Sequence, residues 1–119
     1  MRAKKIIVIF IDLLLLNSCN SSDRRNQIPI TIKVVDLKTM QPRIKDTVEV
    51  RMEAWGFSVK RFPVVKRYLT DSNGIVSFRV NREKYYIFFS VGSDNAWGSE
   101  DFPNGELNAN QQILIKVEK

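Results

Sequence analysis

From Ile30 onward, apolar and polar residues alternate with a period of two in short segments set apart by turn formers, and nowhere is the spacing of a helix sustained. Period two gives each segment one apolar face that must be buried against another layer, and with no helical segment that layer is a second sheet. Ile30, Ile32 and Val34 alternate with Thr31, Lys33 and Val35 in a first strand that ends near Asp36. Val48, Val50, Met52 and Ala54 form the inward row of a second, and residues 64–70 a third without clean alternation. Asn73-Gly74 predicts a hairpin, because both residues tolerate the positive φ of a tight turn between twisted strands. Val76, Phe78 and Val80 then face inward, followed by a row of Tyr85, Ile87, Phe89 and Val91, and last by Ile113, Ile115 and Val117. The expectation is an all-β fold: one small antiparallel β-sandwich of six to seven strands over residues 30–119, with a core of Ile, Val and Phe.

The N-terminus is built differently. Lys4-Lys5 precedes the apolar run Ile6–Leu16, which is interrupted by Asp12 and followed by Asn17-Ser18-Cys19. A helix of residues 6 to 16 would rise only about 16 Å, roughly half a bilayer's hydrocarbon thickness, so the run reads as a signal-peptide core and not a permanent span. Leu16-Asn17-Ser18-Cys19 resembles a relaxed bacterial lipoprotein lipobox of the Bacteroidetes-like kind. That resemblance implies that the Cys19 sulfur takes a diacylglyceryl group and that cleavage removes residues 1–18. Cys19 is the only cysteine and has no intramolecular disulfide partner, so lipidation gives it a role. Cleavage removes three cations and one anion, and the formal charge falls from +6 to +4. Residues 19–29 are polar and lack periodicity, as expected of a tether. Asn20 after the cysteine is not the aspartate linked to inner-membrane retention, which favours the outer membrane and leaves periplasmic and outward orientations both open.

Thr70-Asp71-Ser72-Asn73-Gly74-Ile75-Val76-Ser77-Phe78 resembles the "TDxxGxxxF" hairpin of transthyretin-like, carboxypeptidase regulatory-like β-sandwiches. Val34-x-Asp36, Pro42 with Val48, and Tyr85-x-Ile87-x-Phe89 fit the same pattern in order, while Lys45 and Glu83 stand where that family usually has glycine. The resemblance implies an Ig-like, transthyretin-like sandwich used as an accessory, adhesive or structural module. It is almost silent on activity, because the motif consists of turn formers and core residues.

The chain contains no histidine, which removes the commonest general base and metal ligand at neutral pH and, with it, serine triads and cysteine-histidine dyads. The hydroxyisourate hydrolases of transthyretin-like fold depend on histidines. The sequence therefore predicts no enzyme, no catalytic residue and no cofactor. Glu100-Asp101 and Asp71 with Asn73 offer too few converging oxygens for a hard cation, and Asp71 is expected to bond backbone amides, so no metal is expected. The Lys-to-Asn crosslink of some adhesin domains has no support, since Lys33 lies on the polar face and Gln112–Lys116 holds no Asn.

Two aromatic-bearing loops are the candidate contact surfaces. The first, Trp55–Arg67, places Trp55, Phe57 and Phe62 among Lys60, Arg61, Lys66 and Arg67. Continued alternation would leave Trp55 and Phe57 outward; the favoured reading is that Gly56 makes a bulge that turns both rings inward. The second, Gly92–Gly105, is long for a connection and carries Trp97, whose plain role is to cap the sandwich end. The leading expectation is a non-enzymatic lipid-anchored envelope protein whose partners are the membrane and an envelope protein or glycan. Its alternatives are carbohydrate or lipopolysaccharide capture through the Trp55–Arg67 loop, and an accessory subunit that pairs by sheet-edge addition. Nucleic acid is not expected, because the charge is modest and no basic strip with stacking aromatics is present.

Overall fold

The computed structural model describes residues 26–56 and 58–119; Cys19, the signal segment and Phe57 lie outside the described residues. The described residues are all β and include no helix. Their strands are β1 (Gln27–Asp36), β2 (Thr47–Met52), β3 (Ala54–Gly56), β4 (Val59–Arg61), β5 (Val64–Leu69), β6 (Ile75–Asn81), β7 (Tyr86–Val91), β8 (Trp97–Phe102) and β9 (Gln111–Val117). Seven of them form two facing sheets, ordered β6-β1-β9 and β5-β2-β7-β8, while β3 and β4 form a separate two-stranded ribbon. β1 begins at Gln27, so residues 27–29, read as the end of a tether, are strand paired to β6.

The core sits where the alternation predicts for β1, β6 and β9. Ile28, Ile30, Ile32 and Val34 are buried, as are Val76, Val80, Ile113, Ile115 and Val117. Val48, Val50 and Phe88 face them from the second sheet. On the side between β5 and β6, where the two sheets are not joined, Tyr68 stacks on Phe78 with ring centroids 4.4 Å apart, and Phe78 meets Phe88 edge-on at 5.9 Å. On the other side Trp97 and Glu118 exchange both backbone hydrogen bonds, at 3.1 and 3.0 Å, and stitch β8 to the segment after β9. Gly98 allows this close approach, since a Cβ there would run into the Lys116 carbonyl.

Four expectations need correction. The inward row of β7 is Tyr86, Phe88 and Ser90, one residue out of phase with the expected Tyr85, Ile87, Phe89 and Val91, which stay half-buried. The cause is pairing with β2: Val48 opposite Ser90, Val50 opposite Phe88 and Met52 opposite Tyr86 bring the apolar rows of the two strands to one face. Asn73-Gly74 is not a hairpin, because β5 and β6 belong to different sheets. Only Gly74 takes positive φ, at 74°, and the Asp71 carboxylate holds the corner by accepting from the amides of Asn73 (2.8 Å) and Ile75 (2.9 Å). Ala54 is exposed on the ribbon, since β2 ends at Met52. The fold is also not wholly antiparallel: β8 returns across the sandwich through residues 103–110, so β9 runs parallel to β1.

Candidate functional site

The strands run up and down between two ends of the sandwich. At the entry end, Gln27 pairs with Asn81, and the Asn26 carbonyl accepts from the Arg82 amide at 2.8 Å. Tyr86 opens β7 opposite Met52, the last residue of β2, and the Glu53 amide donates to the Tyr85 carbonyl at 3.0 Å. The ribbon leaves at Glu53 and returns at Pro63, whose carbonyl accepts from the Met52 amide at 3.2 Å. The chain's entry point and the ribbon thus share one end of the molecule.

In the ribbon Trp55 pairs with Lys60 and Gly56 with Val59, a regular ladder with no bulge at Gly56. The expected inward turn of Trp55 does not occur: its side chain is 70% exposed, and its indole Nε1 donates to Glu53 Oε1 at 2.9 Å. Phe57 lies outside the described residues. Val59, Lys60 and Arg61 are exposed. Lys60 Nζ is 4.8 Å from the Tyr85 ring centroid, 5.7 Å from that of Phe62 and 3.7 Å from Glu53 Oε1. Phe62 packs edge-on against Tyr85 at 5.0 Å, closing the ribbon's root. The Tyr85 hydroxyl donates to Asp101 Oδ2 at 3.0 Å, and that carboxylate pushes the phenol above its ordinary value.

Trp97 is not part of this cluster. It pairs with Val91 at the opposite end of β7 and does not cap the core; it is 54% exposed and stacks on Phe89 with centroids 5.7 Å apart. The middle of the segment expected as a long loop, Trp97–Phe102, is strand β8. Trp97, Phe89, Ile87 and Val91 lie on the outer face of the four-stranded sheet, where the Arg51 guanidinium covers the Phe89 ring at 4.7 Å. Glu49 accepts from Arg51 Nη2 at 2.6 Å and Arg67 Nε at 3.2 Å, and the Arg51 bond leads in holding its carboxyl below the usual carboxylate range. Sequence reasoning missed this face by assigning its apolar row to the core. The Arg51 and Glu49 positions opposite that row were the available signal.

The far end is a crosslinked cluster. Arg43 Nε donates to the buried Asp46 at 2.8 Å and its Nη2 to Asp94 at 2.6 Å, joining the β1–β2 and β7–β8 connections. Thr70 adds the β5–β6 corner: its hydroxyl donates to the Arg43 carbonyl at 2.6 Å and accepts from the Asp46 amide at 3.0 Å. The Arg43 bond is the main cause that lowers Asp94 to about 2, and Asp94 in turn leads in raising Arg43. Lys45 takes a φ of 57° in this region, a glycine-like conformation at a place where the resembled family has glycine. Among the described residues no group of three Cys, Asp or Glu is placed to hold a metal ion. Glu100 and Asp101 project to opposite faces of β8 as successive strand residues.

Among solved structures, the chain is similar to the C-terminal domain of the shaft pilin spaA from Lactobacillus rhamnosus GG. The TM-score is 0.51 over 77% of this chain and 98% of that one, at 14% identity. At that identity the likeness is one of fold, a small β-sandwich. No protein-family model matches the chain, and no curated protein does.

Proposed function

We propose that this chain is a non-enzymatic lipoprotein of the outer membrane, anchored through Cys19, whose sandwich serves as a binding or scaffolding module for another envelope component. One observation carries the reading: a basic-apolar-polar leader ends at the chain's single cysteine, and a strand-built body begins at Gln27 soon after it. The turn motif at Thr70–Phe78 supports a module of transthyretin-like kind. The fold neighbour belongs to a shaft pilin, and a likeness to such a domain suits a structural part better than a catalyst. The Trp97, Phe89 and Arg51 face supports a role in contact, because a sheet face carrying half-buried aromatic and aliphatic side chains beside arginines is suited to cover by a partner.

Anchoring is tested by growing cells that express the full chain with a clickable fatty acid. Label is expected on the wild-type protein and absent from Cys19→Ser, which should also fail to be processed. Equal labelling of the two, or none on either, would remove the lipid from the reading.

A further inference from the structure

The ribbon β3–β4 contributes nothing to the buried core, yet it holds an indole and a valine in water: Trp55 is 70% and Val59 51% exposed. Trp55 is held outward by its hydrogen bond to Glu53, which leaves the apolar part of an amphipathic ring open to a partner surface. What faces the ribbon follows from where the chain enters. Gln27, Asn81, Tyr85 and the ribbon root at Glu53 and Phe62 lie at one end of the sandwich.

The chain between Cys19 and Gln27 reaches at most about 28 Å when fully extended, at roughly 3.5 Å per residue. β1, with 10 residues, by itself runs about 33 Å from the entry end toward the far end. A membrane that holds Cys19 therefore meets the entry end first. Bringing the far end to it would require the linking segment to run fully extended along the whole sandwich. The ribbon also carries two exposed cations, Lys60 and Arg61.

We infer that the ribbon is a second membrane contact: Trp55 enters the interfacial zone of the leaflet that carries the Cys19 lipid, with Lys60, its cross-strand partner on the same face, at headgroup level. The inference rests on the lipid-anchored reading for which end faces the bilayer. Tryptophan suits this zone because its ring is apolar and its N–H polar, and the stems of Lys and Arg lie along apolar surface while their charges stay wet. The acyl chains supply retention; the ribbon fixes orientation, so that the sandwich stands with its far end away from the leaflet.

The two tryptophans make the test, since one lies at each end. Acylated Trp97→Phe and Trp55→Phe proteins, expressed as the full chain and purified from membranes, are reconstituted in vesicles of brominated phosphatidylethanolamine and phosphatidylglycerol. Trp55 emission is expected to be quenched about three-fold more than Trp97 emission, as interfacial burial of one ring alone requires. Should Trp97→Phe fold poorly, the difference between wild type and Trp55→Phe yields the same quantity. Equal quenching of both, or an unquenched Trp55 in a protein that carries the fatty-acid label, overturns the ribbon contact and leaves anchoring intact. A protein without label defeats the anchoring reading; quenched Trp55 would then still support a ribbon contact, and unquenched Trp55 would end both. A Trp55 that ignores vesicles but shifts with a soluble acidic glycan overturns the inference in favour of glycan capture.

Discussion

The two ends of the sandwich are made of similar residue types put to opposite uses. At the far end, charged and turn-forming residues satisfy one another: Arg43 bridges Asp46 and Asp94, Thr70 ties the β5–β6 corner to the β1–β2 connection, and Asp71 caps its own turn. At the entry end, Glu53 alone gathers Trp55 and Lys60, and the ribbon's apolar and basic groups remain open to solvent. A cluster whose donors and acceptors are used up locks connections together. A cluster with exposed rings and cations is left to meet something else.

The contrast predicts a graded set of outcomes. Gly74→Val is expected to be the most damaging change, about 4 kcal/mol by urea unfolding, because the site has a φ of 74° and a Cβ there would lie 2.7 Å from the Val34 carbonyl oxygen. Arg43→Met should cost about 3 kcal/mol, since it leaves the buried Asp46 without its cation. A wild-type midpoint in that variant would show that the far end is not held by the cluster. Ser90→Ala should stabilise by about 1 kcal/mol, because the Ser90 hydroxyl is fully buried with no partner in the protein.

Acid should loosen the far end selectively. Asp94 has its folded pKa lowered from 3.8 to about 2, so the stabilisation from its charged form is complete above about pH 4 and is lost as pH falls toward 2. Amide exchange at Gly92 and Asn95, whose N–H groups close that connection, should quicken in this window before exchange in the ribbon does. The smallest effect is expected at the entry end, where Trp55→Ser and Arg61→Ser should each move stability by no more than about 0.5 kcal/mol. A large loss there would mean that the ribbon braces the core.

Legibility in the sequence followed the contrast between the two faces of each strand. In β1 and β9 buried isoleucines and valines alternate mostly with polar or exposed neighbours, so period and phase are both readable. In β7 both rows are apolar, Tyr86 and Phe88 against Ile87, Phe89 and Val91, and a period without contrast has no phase. Alternation favours the wrong row because the right one contains Ser90, a polar residue that the core tolerates without a partner. At the ribbon, alternation placed Trp55 outward, but the general preference for burying indole pointed inward; a short hairpin with no sheet above it had nowhere to bury the ring. Asp71 and Gly74 were recognisable as a turn, though nothing local distinguished a hairpin from a passage between sheets.

By itself, the sequence determined the strand period, the positions of the main turns, the lack of any histidine-based chemistry and the composition of the core, since each depends on residues near one another in the chain. Only the tertiary structure decided that β9 joins β1 in parallel, that β5 and β6 part into different sheets, that Phe89 and Trp97 share an outer face, and that the ribbon shares an end with the chain's entry. These depend on which distant segments pack together, and a strand's own residues state how it is pleated without naming its neighbour.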